Sequence, residues 1–290
     1  MSRTAPMGDN GRMTDPRAVD AAPENGLSDG ADDSRSGGSR LYPRVTSFRS
    51  RRGALTEPQQ SSWDRMWPSI GRDVADEPLD AASWFGRPAP VVLEIGSGTG
   101  TAALAMAAAE PHVNLIAVEV YRPGIAQTVQ GIEREGLSNL RILRGDAADV
   151  LENMVAPGSL AGVRVFFPDP WPKARHHKRR LLKAETFALV ANRLEPGGIL
   201  HVATDHADYA EWIEEVGDAE SALTRLPFDA ERRTVEGSSL SVDRPVTKFE
   251  GKAQQVGRPT SEFVWSTPST GATDVAAATI TRRESENPLR

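Results

Sequence analysis

The stretch that most limits what this chain can fold into is Val91-Val92-Leu93-Glu94-Ile95-Gly96-Ser97-Gly98-Thr99-Gly100, followed by Thr101 to Ala109. The first five residues form an apolar, β-branched run of strand length, broken only by Glu94. Thr101 to Ala109 consists almost entirely of helix formers, so a helix starts directly behind the glycines. Glycines supply dihedrals closed to other residues and let backbone approach a ligand closely. A glycine loop alone is weak evidence; strand, glycine loop and helix in that order signal nucleotide binding. The spacing is Gly-x-Gly-x-Gly, which differs from the dinucleotide Gly-x-Gly-x-x-Gly.

The next elements repeat the alternation. Asn114 to Val120 reads as a second strand, with Glu119 near its C-terminal end, where an acid can accept hydrogen bonds from both ribose hydroxyls. Arg122 to Glu135 is patterned as a helix, with Ile125, Val129 and Ile132 on one stripe and Gly136 as its stop. Leu140 to Leu143 is a third strand, and Gly145-Asp146-Ala147 follows it. A carboxylate beside a free backbone N–H can read the amino and ring-nitrogen edge of an adenine. One acid at a strand end is most often a solvated loop residue. Three of them, Glu94, Glu119 and Asp146, in phase with β-α-β-α-β are hard to assign to accident. The alternation predicts an α/β fold, a Rossmann-like, mostly parallel sheet flanked by helices.

A fourth strand is expected over Val163 to Phe167. Pro168, Pro170 and Pro172 then stop it, because each lacks an amide N–H and pushes the residue before it out of the α region. Asp169 and Trp171 are thereby set on a stiff, non-helical turn at the C-terminal edge of the sheet, where open α/β sheets bind ligands. Trp171 either stacks on a base or braces the loop, and bracing is favoured. Lys173, Arg175, Lys178, Arg179 and Arg180 follow directly, with His176 and His177 among them. Leu181 to Leu194 reads as a helix, and Pro196-Gly197-Gly198 turns into a fifth strand, Ile199 to Ala203, ending in Thr204-Asp205-His206. Tyr209 to Val216 is an amphipathic helix, and Phe263 to Trp265 a late strand. His201, His206 and His112 lack the spacing of a metal cluster, so no metal site is expected.

Composition sets the outer limits. Residues 1–40 hold no aromatic and no isoleucine, and residues 267–290 no aromatic; both are expected to be disordered extensions. Between them lie an N-terminal arm, 41–90, and the main domain, 91–266. Seven arginines run from Arg40, just before the arm, to Arg72 against Glu57 and Asp64, interleaved with Tyr42, Phe48, Trp63 and Trp67. That pattern fits phosphate contacts and stacking. Aromatics that anchor the arm beneath solvated arginines are the favoured reading. The net charge of −6 excludes a general polyanion binder, so any nucleic-acid site must be a local basic patch. No cysteine is present, which excludes disulfides and thiolate zinc and suits a reducing cytoplasm. No run has membrane-span length and no secretion-signal core opens the chain, so a cytoplasmic protein with no membrane association is expected.

The glycine loop, the strand-end acids and the Pro-Gly-Gly turn resemble class I S-adenosylmethionine-dependent methyltransferases. Phe-Pro-Asp-Pro-Trp-Pro-Lys-x-Arg-His-His-Lys-Arg-Arg, then Thr204-Asp205 and Thr247-Lys248-Phe249-Glu250, resemble the tRNA (guanine-N7-)-methyltransferase family, from about Phe48 to Trp265. The resemblance implies S-adenosylmethionine as cofactor, tRNA as partner, no obligatory protein partner, and a variable-loop guanosine as target. It implies that Glu94, Gly96, Glu119, Asp146, Ala147 and Asp169 line the methyl-donor site, with Asp169 also the catalytic group. Lys173, Asp205, Thr247, Lys248, Phe249 and Glu250 would contact the guanosine, and Arg175, His176, His177, Lys178, Arg179 and Arg180 the RNA. One departure is the arm, which reads Arg51-Arg52-Gly53-Ala54-Leu55-Thr56 where the family shows Arg-x-Gly-Arg-x-Thr. Two other classes share part of the pattern. A nicotinamide oxidoreductase would share the β-α-β start and the ribose acid, but the glycine spacing and Asp146-Ala147 disfavour it. A non-catalytic RNA binder would keep the basic runs without the donor-site acids, which are present here.

Overall fold

The computed structural model describes residues 53–236, 238, 240–246, 250–251 and 258–269. The expected extension 1–40, the start of the arm with Tyr42 and Phe48, and residues 270–290 lie outside them, as do Thr247, Lys248 and Phe249.

In chain order the elements are α1 (Glu57–Ile70), β1 (Gly71–Asp73), α2 (Ala81–Phe85), β2 (Val91–Ile95), α3 (Thr101–Ala109), β3 (Asn114–Glu119), α4 (Arg122–Glu135), β4 (Leu140–Arg144) and α5 (Ala147–Asp149). A π turn, Val150–Met154, leads to β5 (Leu160–Phe166), and a 3₁₀ helix, Ala174–Arg179, to α6 (Ala184–Arg193) and β6 (Leu194–Thr204). The chain continues through α7 (Ala207–Asp218), β7 (Thr224–Leu226), β8 (Phe228–Asp229), β9 (Thr234–Val235) and β10 (Ser261–Ser266).

Eight strands make one sheet in the order β1-β4-β3-β2-β5-β6-β10-β7. The six from β1 to β6 are parallel, and β10 runs antiparallel between β6 and β7. Strand alternation sorts the core into two layers. Leu93, Ile95, Val118, Val163, Val165 and Trp265 pack on one face with Phe187 of α6 and Ile213 of α7. Val92, Leu115, Ala117, Ile142 and Val264 pack on the other with Trp63 of α1, Leu104 of α3 and Ile125 and Val129 of α4.

Local chemistry explains most of the helix limits. Thr56 and Gln59 form a reciprocal capping box at the start of α1, and Gly136, in the left-handed region at φ 64°, ends α4. α1 ends at Gly71, whose chain goes straight into β1 beside β4. The stretch read as an arm therefore supplies both a helix and the outermost strand of the sheet.

Several expected boundaries moved. The helix read from Leu181 begins at Ala184, because residues 174–179 turn as a 3₁₀ helix first. Pro196-Gly197-Gly198 lies inside β6 as an irregularity: β6 pairs with β5 at Leu160↔Leu194 and resumes at Gly162↔Ile199. Thr267, expected to open the polar tail, is buried and donates its hydroxyl to the Glu195 carbonyl at 2.6 Å.

Candidate active site at the C-terminal edge of the sheet

Five neighbouring strands, β4, β3, β2, β5 and β6, end on the same edge. In that order they present Asp146, Glu119, the Gly96–Gly100 loop, Asp169 and Asp205.

The glycine loop is shaped from both sides. Gly96 and Gly98 have φ of 73° and 59°, a region a side chain resists. α4 closes on the loop so tightly that a Cβ on Gly124 would collide with the Gly98 carbonyl oxygen. Glu119 locks the arrangement. Its carboxylate accepts the Gly98 amide at 2.7 Å with one oxygen, and the Val120 and Tyr121 amides at 2.7 and 2.9 Å with the other. Oε2, which accepts the Gly98 amide alone, keeps a further lone pair, so a hydroxyl donor can still be accepted there. Asp146 caps α5 by accepting the Ala148 amide at 3.0 Å. Ala147 is the first residue of that helix, and its amide has no partner within the helix.

Glu94 is buried at 2 % exposure, and its Oε2 has no hydrogen-bond partner. Burial pushes its carboxyl up to about 7, only partly opposed by the Arg164 guanidinium and the Ala103 amide. Arg164 faces Glu94 across the β2–β5 register but is bonded to Glu110 at 2.6 Å and to the Ser241 carbonyl at 3.1 Å. One buried cation thus stands beside two carboxylates, and Glu110 has it. A partnerless buried carboxylate oxygen, a glycine loop with nothing within 4 Å of where a Cβ on Gly96 or Gly98 would stand, and a carboxylate with spare acceptor capacity fit a positively charged nucleoside such as S-adenosylmethionine.

Beyond β5 the backbone takes two unusual steps. Phe167 and Trp171 lie at φ 53° and 46°, a left-handed conformation rare for aromatic residues. Asp169 sits between them with its side chain exposed. Trp171 is buried, with the His176 ring edge-on at 5.8 Å and the Arg179 guanidinium 4.9 Å above it. It braces the turn from below. Lys173, Arg175 and Lys178 are exposed, while His176, His177 and Arg179 are half-buried.

Two expected contacts face inward instead. Arg180, read as part of the RNA-facing run, is 2 % exposed, bonded to Asp208 and to the Pro170 carbonyl, and lies over the Tyr209 and Trp212 rings. A guanidinium held on that many interior partners is fixing the loop. Glu250, read as a guanosine contact, is buried with both carboxylate oxygens on Arg244, at 2.6 and 3.2 Å. Asp205 is half-buried and pairs with Arg258 at 3.3 Å.

Sequence reasoning passed over Arg164, Arg244 and Arg258. The charge inside Val163-Arg164-Val165 was a legible signal, since a buried strand rarely carries an unpaired cation. Arg244 and Arg258 lie in irregular chain, where no periodicity marks burial.

A mostly parallel sheet with one antiparallel strand beside β6, a glycine loop behind its first long strand, and acids on the following strand ends define a Rossmann-like class I methyltransferase. A family model described as "Putative methyltransferase" matches residues 88–263. The chain is 68% identical over 233 residues to the tRNA (guanine-N(7)-)-methyltransferase of Nocardia farcinica, covering 79% of this chain and 86% of that one. It is 63% identical over 266 residues to the enzyme of the same name from Rhodococcus jostii, covering 91% and 98%. The chain belongs to the tRNA (guanine-N7-)-methyltransferase family.

Proposed function

We propose that this chain transfers a methyl group from S-adenosylmethionine to N7 of a guanosine in the variable loop of tRNA, with Asp169 as the central catalytic group. The observation behind this reading is the placement of Asp169. It is an exposed carboxylate on a strained turn, between the glycine-loop edge of β2 and the Asp205 edge of β6, with the basic 3₁₀ helix directly after it.

The donor supplies an electrophilic methyl group on a sulfonium centre. Guanine N7 has an in-plane lone pair, so no proton need leave before it forms the new N–C bond. As the C–S bond breaks, its electrons stay on sulfur and the purine becomes cationic. The protein's tasks are in-line placement and support for that moving charge. Asp169 does both: it holds the N–H edge of the base or the donor's amino group, and its charge favours the cationic ring. A general base is not required.

Glu119 takes the ribose hydroxyls, Asp146 and the Ala147 amide take the adenine edge, and Glu94 and Gly96 complete the donor site. Lys173 and Asp205 lie beside the guanosine. Lys173, Arg175, Lys178 and Arg179 neutralise tRNA phosphates, with His176 and His177 at the margin, and the target base leaves its tertiary contacts to reach Asp169. No described helix is long and apolar enough to cross a membrane. A tRNA substrate supports the reading of a cytoplasmic enzyme, for which no obligatory protein partner is proposed.

The test is single-turnover methyl transfer by Asp169→Asn and Asp169→Ala. The Asn variant keeps shape and hydrogen bonding but loses the charge. Turnover should fall by about 10²–10³, the contribution of one preorganised electrostatic group, with tRNA affinity within severalfold. The Ala variant should be slower still. Near-normal turnover in Asp169→Ala would remove Asp169 from the mechanism.

A further inference from the structure

We infer that Glu110 is a positioning residue for the donor site: by holding the Arg164 guanidinium it leaves the Glu94 carboxyl without a fixed partner, and the positive charge of S-adenosylmethionine then displaces the Glu94 proton. This rests on the donor site proposed above. Glu94 and Arg164 stand side by side, in register on β2 and β5, and both are buried. Among the described residues Glu94 Oε2 has no hydrogen-bond partner, and neither have Nε and Nη1 of Arg164. A buried carboxyl and a buried guanidinium with unmet groups ought to pair. They do not, because Arg164 turns its Nη2 to Glu110 at 2.6 Å and to the Ser241 carbonyl at 3.1 Å.

Glu110 is fixed well enough to keep that hold. It is the C-terminal cap residue of α3, and the Asn139 side chain donates to its carbonyl at 3.1 Å. Its second carboxylate oxygen accepts the Ser241 amide at 2.9 Å. The first turn of the same helix reaches Glu94 through the Ala103 amide. The other elements around Glu94 bring it no cation among the described residues. β3 places Ala117 beside it, and Glu119, further along that strand, is engaged by the Gly98, Val120 and Tyr121 amides. His201, next to Arg164 on β6, is bonded to Glu262 at 2.9 Å, and burial holds its imidazole below the ordinary range. Burial therefore keeps a proton on Glu94, its carboxyl pushed up to about 7.

A neutral carboxyl beside a committed arginine suits a cationic ligand. If Arg164 held Glu94, the donor would meet an ion pair with no net charge. As it stands, the donor's charge replaces a proton, and the buried groups keep their balance. The sign of the linkage follows. Below about 7 the donor must displace that proton, so affinity rises with pH up to that point and levels off above it. Glu110 acts through Arg164 and does not touch the donor.

The experiment uses the full-length chain, Glu110→Gln and Glu94→Gln, each titrated calorimetrically with S-adenosylmethionine from about pH 5.5 to 7.5 in buffers of different ionisation enthalpy. The buffer series reports protons released per donor bound, which a reduced folded fraction does not alter, and groups on the donor titrate alike against every protein. Wild type should release about one proton at pH 6, and its affinity should rise by up to about tenfold per pH unit. Glutamine keeps the shape of Glu110 and an acceptor for the Ser241 amide but not the charge, so Arg164 turns to Glu94, which is then ionised before the donor arrives. Glu110→Gln should release less than about a third of a proton at pH 6, lose most of the pH dependence, and bind the donor about tenfold more weakly at pH 7.5. Glu94→Gln should release none. Wild-type proton release and pH profile in Glu110→Gln, or no release by wild type at pH 6, would overturn the proposal. If Glu110→Gln does not fold, Glu110→Asp reads the same link: one methylene shorter, it cannot hold both the Ser241 amide and the guanidinium, and release should fall partway. Unchanged release there would equally overturn it. Failure of the underlying reading is distinct, since Glu94→Gln would then match wild type in affinity, pH profile and proton release.

Discussion

Glu94→Gln should change how the stability of the protein depends on pH. Glu94 lies in the interior on β2, and the cation beside it among the described residues, Arg164, is bonded to Glu110. Burial raises its carboxyl from an ordinary 4.5 to about 7. In that interval the folded protein keeps a proton that the unfolded chain has released. Stability therefore falls as pH rises from about 4.5 and levels off above about 7. The gap corresponds to about 3 kcal/mol of stability lost across the window, a large share of a typical domain's total. Glutamine is uncharged at every pH and removes this slope. Urea unfolding of both proteins at pH 5, 6, 7 and 8, without donor, gives the comparison, and subtracting one curve from the other cancels the remaining titrating groups. The difference should grow with pH in favour of Glu94→Gln, by up to about 3 kcal/mol at pH 8. A saturating cationic donor should flatten the wild-type slope, because it favours the ionised carboxylate. Parallel stability curves without donor would refute the assignment of a neutral, buried Glu94.

Two further changes probe the donor site and the basic helix. Glu119→Ala removes the acceptor of the Gly98, Val120 and Tyr121 amides together with the ribose contact; calorimetry should show donor binding weaker by about 1–3 kcal/mol, and unchanged affinity would exclude Glu119 from the site. Neutralising Arg175, Lys178 and Arg179 together should weaken tRNA binding and flatten its dependence on salt, as fewer counterions are released, with donor affinity unaltered; an unchanged salt slope would mean that the helix face is merely solvated.

Much of the framework of the proposed donor site was legible because it follows periodicity. The apolar runs that became β2, β3 and β4 and the glycines after β2 gave element limits to within one residue, and their strand-end acids fall on one edge by topology alone. The basic run illustrates the limit of that reasoning. Lys178 and Arg180 differ by two positions in a 3₁₀ turn and its exit, yet one is exposed and the other buried on Asp208. No charge pattern distinguishes them; the Tyr209 and Trp212 rings brought in by α7 do. Glu250 was read as a substrate contact from the family resemblance of Thr247-Lys248-Phe249-Glu250, and its partner Arg244 lies in irregular chain with no pattern to flag it. The left-handed residues at Phe167 and Trp171 were equally invisible, because prolines announce a stiff turn without specifying its dihedrals.

Methyl transfer to unmodified tRNA, with the modified nucleoside identified after digestion, tests the proposed function most directly. The purified chain with S-adenosylmethionine alone should form 7-methylguanosine at one variable-loop position, and Asp169→Ala should abolish it while tRNA is still bound. A methyl group on another atom or base, or no transfer by protein that binds both donor and tRNA, would contradict it.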